Sequence, residues 1–302
     1  MELRQLEHLL CILETGSYRA AAAQLGLTQQ ALSKSVFQLE KQLGARLLNR
    51  GAGVIHTTEL GAEVTRRARA IVSESRELRR EVDTRLGRFR RGVRVGAGPS
   101  VASNLVANAA IKLNSEHPGV RIAVEGGTFY SMLDGLLAGD LDLLVSIEPD
   151  TRSRNELIAM EHLGDEECVI AARAQHPLSR IGEVRLADTT QFPWLLGSGM
   201  ADLMKSVENT FKEEGLAKPS AHVETTSVSF ARATLAASDF LCILPYQLIA
   251  LDVHAGTLAP LRLRRGNWRR PITLSYRRNS TRSPLVLKFI DNLRQGMLGP
   301  SS

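Results

Sequence analysis

The chain of 302 residues is 43% hydrophobic and 23% charged, with a formal net charge of +6. That length exceeds one small module and predicts two or three domains, and no run approaches the ~20 apolar residues of a membrane span. The charge is lopsided: residues 1–92 carry 16 Lys and Arg against 10 Asp and Glu, while the 22 of each that follow cancel. A basic N-terminal third suits a polyanion, most simply the phosphates of nucleic acid.

Met1 opens directly into a helical pattern with no basic, apolar and small-residue export signal, so a cytoplasmic protein is expected. Cys11, Cys168 and Cys242 are far apart, sit in apolar runs and form no CxxC pair. They read as reduced core thiols, with a redox-sensing pair as the alternative.

Ser17 to Val36 packs two short helices and a tight turn into twenty residues. Ser17 is an N-cap, Ala20, Ala21 and Ala22 leave room for a crossing helix, and Gly26 supplies the turn. Leu25 and Leu27 are expected to bury the turn's two sides, and Thr28 caps the next helix. Ala31, Leu32 and Val36 then form its inner face. Gln29, Gln30, Ser33 and Lys34 form an outer face that is polar and uncluttered, which suits base edges in a major groove. The plain alternative is a helical hairpin with a solvated face. Ser17, Arg19 and Thr28 are further candidates for the DNA contact.

Leu39 to Leu43 continues this helix to a C-cap at Gly44. Arg46 to Thr58 reads as strand, glycine turn (Gly51, Gly53) and strand, the wing of a winged helix-turn-helix. Arg50, His56, Thr57 and Thr58 are its candidate phosphate partners. From Thr58 one long helix carries Leu60, Val64, Ala68, Ile71, Leu78, Val82 and Phe89 at alternating steps of three and four, with Ser75 in the gap. That is the seam of a two-stranded coiled coil about 45 Å long. A helix lying on its own domain is the alternative, but so narrow a stripe fits a partner helix better. A dimer would present two reading heads to a two-fold DNA site.

The first ninety residues resemble the N-terminal half of LysR-type transcriptional regulators. The resemblance rests on Gly16-Ser17, Ala21-Ala22, Leu25, Gln29, Ser33, Leu39-Glu40, Leu43-Gly44, Leu47, Arg50, Thr58 and Gly61. It implies that Gln29, Ser33 and Lys34 approach DNA and that Arg50 holds the backbone. Three departures stand out. Gln30 replaces the usual proline, Leu48 and Asn49 replace a common Phe and acidic residue, and Ala52-Gly53 lack the customary wing cation. A weaker wing grip follows.

From about residue 92 the pattern changes to βαβ: strand Val93–Ala97, turn Gly98-Pro99-Ser100, helix Val101–Ser115 and strand Val120–Val124. A second copy follows at an offset of 99 residues. Gly98 matches Gly197, Val124-Glu125 matches Val223-Glu224, Thr128 matches Ser227, Leu136 matches Leu235, and Asp140 matches Asp239. Two similar α/β lobes with a cleft between them are the direct reading. They agree with the periplasmic-binding-protein-like effector domain that the family resemblance implies. Ser100, Thr128, Ser198 and Ser227 each fall at a helix start just after a strand, where hydroxyl and backbone amide can cradle a carboxylate. Each is equally an ordinary cap. Gly199 joins this set, and Phe129, Ile147 and Phe230 are candidate apolar walls.

The remaining motifs are weak. Val95-Gly96-Ala97-Gly98 lacks the third glycine of a dinucleotide fingerprint, and Leu196-Gly197-Ser198-Gly199 lacks the spacing of a nucleophile elbow. The seven histidines have no metal-ligand spacing, and His117-Pro118 and His176-Pro177 read as turns. Arg262, Arg264, Arg265, Arg269 and Arg270 read as a solvated strand edge. No catalytic residue, metal or cofactor is assigned.

The sequence therefore predicts an α/β protein with an all-α-type N-terminal winged helix-turn-helix (1–58), a long linker and dimerisation helix (59–91) and a two-lobed effector-binding domain (92–302). Lobe I is 92–147 with 268–302, lobe II is 148–267, and the crossovers lie near Val145–Glu148 and Trp268–Thr273. The expected partners are double-stranded promoter DNA, a small-molecule effector of which a carboxylate is one candidate, and further copies of the chain. By the resemblance those copies form a tetramer built as a dimer of dimers. RNA polymerase is an additional candidate partner. An enzyme or solute-binding module of the two-lobed type is the rival reading, but it predicts a catalytic constellation or an export signal, and the sequence displays neither.

Overall fold

The computed structural model describes residues 1–50, 55–85, 92–147, 155–197, 200–278 and 280–298. Its contacts divide the chain into two units, residues 1–91 with 133–142 and 277–281, and the remainder. Within the first unit the short segments are tied together by Arg277, whose Nη1 donates to the carbonyl oxygens of Leu136 (2.7 Å) and Leu141 (2.9 Å).

The N-terminal part runs α1 (Leu3–Thr15), α2 (Tyr18–Leu25), α3 (Gln29–Leu43), β1 (Leu48–Arg50), β2 (Ile55–Thr57) and α4 (Glu59–Arg85). Its boundaries are set by local chemistry. Gly16, Gly26 and Gly44 end the first three helices in the left-handed region, which glycine adopts without steric cost. The Ser17 hydroxyl accepts the Ala20 amide and the Thr28 hydroxyl accepts the Ala31 amide, so both act as N-caps. Leu6, Leu9 and Ile12 of α1, Ala21 and Ala22 of α2, and Leu32, Val36 and Leu39 of α3 form one core. Ala20, Leu27 and Ala31 were expected inside and are exposed. At 100° per residue Ala20 and Ala31 lie off the inward faces that Ala21-Ala22 and Leu32-Val36-Leu39 define, and Leu27 sits in the turn between the helices.

Two polar groups brace this core. His8 Nδ1 lies 2.7 Å from the Ser35 hydroxyl, tying α1 to α3. The Glu40 carboxylate accepts the amides of Leu47 (2.7 Å) and Leu48 (3.2 Å) and so fixes where the wing begins.

The remaining unit holds a nine-stranded mixed sheet. Lobe I begins with β3 (Gly92–Ala97). A helical run follows, comprising α5 (Pro99–Val101), a π turn at Ala102–Val106 and α6 (Ala107–Glu116). Next come β4 (Arg121–Gly126), α7 (Phe129–Ala138) and β5 (Leu143–Ile147). β6 (Ile158–Arg173) is followed by α8 (Leu186–Thr189), β7 (Trp194–Gly197), α9 (Ala201–Glu213), β8 (Ala221–Thr225), α10 (Val228–Ala237), β9 (Leu241–Pro245), α11 (Ala250–His254) and β10 (Leu258–Pro260). β11 (Trp268–Arg277) and α12 (Pro284–Leu298) complete the chain's described elements.

The strand order β4-β3-β5-β11-β6-β9-β7-β8 is its own mirror image. β3 runs parallel to β4 and β5, and β5 is antiparallel to β11. Likewise β7 runs parallel to β8 and β9, and β9 is antiparallel to β6. The repeat seen at 99 residues is thus a repeat of topology. Each lobe has its own apolar core, centred on Val95, Val145, Leu274 and Phe289 in the first and on Ile170, Trp194, Phe211 and Ile243 in the second.

The position of one crossover differs from expectation. Leu163 of β6 still packs against the first lobe's core, whereas Cys168 belongs to the second. The first crossing therefore lies within β6, between these residues, and not at Val145–Glu148. β5 is an interior strand of lobe I and ends there at Ile147. The second crossing lies between Trp268 and Ile272 of β11, which belong to the second and first cores respectively. Glu166 and Arg270 meet where the two strands cross: Arg270 Nε donates to the nearly fully buried Glu166 carboxylate at 2.9 Å. Arg270 is thus an internal ion-pair partner and no part of a solvated edge, while Arg262, Arg264, Arg265 and Arg269 are exposed.

All three cysteines are free and buried. Burial pushes the thiols of Cys168 and Cys242 up to about 12, which leaves them without the thiolate that redox chemistry uses. Among the described residues no helix is long and apolar enough to cross a membrane.

Candidate functional site

The first candidate surface is the outward face of α3. Gln29, Gln30 and Lys34 are exposed, and Ser33 is half-buried beside them. The inward residues Leu32, Val36 and Leu39 are what orient this face, because burying them leaves the opposite side in solvent. Arg19 is exposed on α2. Helix N-termini with free amides lie close by, since Ser17 and Thr28 open α2 and α3. The Ser17 and Thr28 hydroxyls already accept amides of their own helices, so a DNA contact would use their remaining donor or lone pair.

In the wing, β1 and β2 pair antiparallel with Asn49 opposite His56, and both of those side chains are exposed. Residues 51–54 and the Arg50 side chain lie outside what the structure describes. Thr57 is half-buried. Thr58 has another task than the phosphate contact expected of it. Its hydroxyl donates to the Arg46 carbonyl (2.8 Å) and accepts the Gly61 amide (2.9 Å), so it caps α4 and locks it to the wing. Glu40 and Gly61, which organise this corner, stand in the sequence only as residues on which the family resemblance rests. Their structural roles depend on contacts with Leu47, which no spacing rule displays.

α4 divides the expected seam between two faces. Ala68 is 1% exposed and, with Val72 and partly Val64, belongs to the core of the reading head. Ala68 is thereby corrected from a seam residue to a core residue. Leu60, Ile71, Leu78 and Val82 stay exposed, Leu78 at 62%. These four fall within about 40° of one another around the helix, roughly 90° from the Ala68–Val72 face. Phe89 lies outside the described residues.

The second candidate site is the cleft edge of the two lobes. Ala97 of β3 is in register with Gly126 of β4, and Gly197 of β7 with Thr225 of β8. Ser100 and Thr128 therefore follow the carboxyl ends of neighbouring strands in lobe I, as Ser227 does in lobe II. In open α/β sheets this is where ligands are held. Ser198 and Gly199 lie outside the described residues. Thr128 and Ser131 cap each other, with the Thr128 amide on the Ser131 hydroxyl (3.0 Å) and the Ser131 amide on the Thr128 hydroxyl (3.2 Å). Ser227 accepts the Phe230 amide at 3.2 Å.

The apolar walls need correction. Phe129 is buried, and Ile147 packs against the core of lobe I, because odd-numbered β5 residues face α6 and α12. The exposed aromatics are Phe230 at 48% and Tyr130, whose ring stands edge-on to Phe129. Tyr130 was missed because a helix start leaves the inward side undecided between neighbouring residues. Across the lobes, Asn104 Nδ2 donates to Gln247 Oε1 at 2.5 Å.

Residues 3–62 match the bacterial regulatory helix-turn-helix protein, lysR family, and residues 87–298 match the LysR substrate binding domain. The chain is 33% identical over 268 residues to the SDS degradation transcriptional activation protein of Pseudomonas sp. (strain ATCC 19151), covering 88% of this chain and 86% of that one. It is 29% identical over 288 residues to the HTH-type transcriptional regulator PcaQ of Agrobacterium fabrum, covering 95% and 92%. In fold it is similar to ArgP from Mycobacterium tuberculosis (TM-score 0.68, 20% identity, 98% of this chain and 97% of that one). The same holds for full-length CbnR complexed with its target DNA (TM-score 0.56, 22% identity, 98% and 100%).

Proposed function

The chain belongs to the LysR family of bacterial transcriptional regulators, and from that premise we propose how its residues divide the work. It is a sequence-specific DNA-binding regulator with an effector-binding domain of two α/β lobes. Gln29, Gln30, Ser33 and Lys34 read base edges, while Arg19, Arg50, His56 and Thr57 hold phosphates. Residues 1–58 are the reading head, 59–91 the pairing helix and 92–302 the effector domain. Leu60, Ile71, Leu78 and Val82 pair two copies, and dimers associate further into tetramers. Ser100, Thr128, Ser198, Gly199 and Ser227 hold the effector with Phe230 as a wall, and a small carboxylate fits such hydroxyl and amide groups. The protein acts without enzymatic turnover, in the cytoplasm where its DNA lies, with RNA polymerase as a partner at the promoter.

The observation that carries the DNA contact is the exposed polar row of α3, within the residues 1–92 that hold the chain's whole net charge. Effector closure of the lobes shifts the population between two arrangements of neighbouring subunits and so changes the spacing of the heads. The test is binding of the purified full chain to the DNA upstream of its own gene at several salt concentrations. Affinity should fall steeply between 50 and 200 mM salt, by orders of magnitude if several phosphates are neutralised per head. Gln29→Ala should lose about 5- to 100-fold in specific affinity with unchanged oligomeric state. Salt-independent binding, or none with any metabolite class added, would overturn the reading.

A further inference from the structure

Phe37 is 63% exposed on α3, more than almost any other large apolar residue of the reading head, and it belongs to no core cluster. Its neighbours around the helix are Gln30, Lys34 and Lys41, all exposed. At 100° per residue these four fall within a sector of about 60°, opposite Leu32 and Leu39. Phe37 thus stands on the outward face, outside the core of the head. The steps from Gln30 to Ser33, Lys34 and Phe37 are three, one and three residues, the steps that separate base-reading positions on a homeodomain's recognition helix.

A lone aromatic ring among lysines and glutamine is a poor seed for a protein interface, whose centre is depleted of lysine. It suits a major groove instead, where the apolar feature on offer is the C5-methyl group of thymine. Lys41, one turn further along the helix, adds charge for a neighbouring phosphate. We propose that Phe37 is a specificity-determining residue that packs on a thymine methyl and so selects an A·T pair, oriented, in each half-site. The inference rests on the DNA reading of α3 given above.

The test separates the two. Duplexes are selected from a randomised pool by the full-length protein, and each thymine of the selected site is then replaced singly by deoxyuridine, which removes the methyl alone. Replacement at one thymine per half-site should weaken the wild-type protein about fourfold, the worth of one methyl leaving apolar contact. The same replacement should leave Phe37→Ala unaffected. Phe37→Ala should keep the wild-type salt slope, whereas Lys41→Ala should lower it by about one. Equal deoxyuridine costs in wild type and Phe37→Ala at every thymine would overturn the role of Phe37 while leaving DNA binding intact. So would a change of sedimentation in Phe37→Ala without DNA, which would mark the ring as a subunit contact. Failure of the wild type to enrich any sequence would remove the DNA reading itself.

Discussion

Gly61 lies against the carbonyl oxygen of Leu47 so closely that a Cβ built on it would stand 2.0 Å from that oxygen. The contact involves backbone on the partner side, so no rotamer change relieves it. α4 and the wing are locked at this one point, with Thr58 bonding both. Gly61→Ala should therefore destabilise the reading head by about 2 kcal/mol or more, the cost of forcing a methyl into a closed contact. Thr58→Ala should cost about 1 kcal/mol through the lost cap. Thermal unfolding of the full chain checks both, and DNA affinity should fall with Gly61→Ala at temperatures near the shifted midpoint.

The exposed row on α4, proposed above to pair two copies, allows pairing to be tested apart from folding. Ile71→Lys with Leu78→Glu should convert the assembly to monomers in sedimentation while leaving the melting of the reading head nearly unchanged, since neither side chain is in its core. Ala68→Glu should do the opposite first and unfold the head, because that side chain is buried in the head's core.

His8 gives the head a pH dependence. Burial, then the nearby Arg4, pushes its imidazole below the ordinary histidine value, so the folded head holds it neutral beside Ser35. The unfolded chain binds a proton near pH 6.5 and the folded one only at lower pH. Stability from this group is therefore complete above about 6.5 and is lost as pH falls below it, with a limit of about 1.4 kcal/mol per pH unit. His176 in lobe II is also pushed down by burial and acts in the same direction. Unfolding midpoints at pH 7.5 and 5.5 should differ less in His8→Asn, and less again when His176→Asn is added.

At the crossing of β6 and β11 the Arg270–Glu166 pair is almost wholly out of water. Arg270→Ala strands a buried carboxylate and should destabilise the effector domain by about 3–5 kcal/mol. The double variant Arg270→Met with Glu166→Leu removes both charges and should recover most of that loss. Differential scanning calorimetry of the four proteins completes the cycle.

Much of this architecture was legible in the residues. Glycine caps, Ser17 and Thr28 marked the helices of the head, because capping is a local matter. The 99-residue offset foretold a duplicated sheet, since strand order follows from repeated βαβ units. What escaped were properties that depend on partners distant in sequence. Ala68 and Leu60 share one heptad pattern, yet only the packing of α1 decides that one faces the core and the other solvent. Phe129 and Tyr130 are adjacent aromatics at a helix start, and their exchange of roles is a matter of one residue's rotation. The inward turn of Arg270 has no sequence sign, because Glu166 lies 104 residues away.

The Gly61, Thr65, Ala68 and Val72 side of α4 is built into the head, while its apolar row points elsewhere on the same rigid cylinder. Under the pairing proposed above, two heads joined through such cylinders have no swivel between grip and reach. Each extra base pair inserted at the centre of an operator turns one half-site by about 35° around the duplex. A pair joined in that way has no slack with which to follow, so tolerance to such insertions should be narrow and should return only after a whole turn.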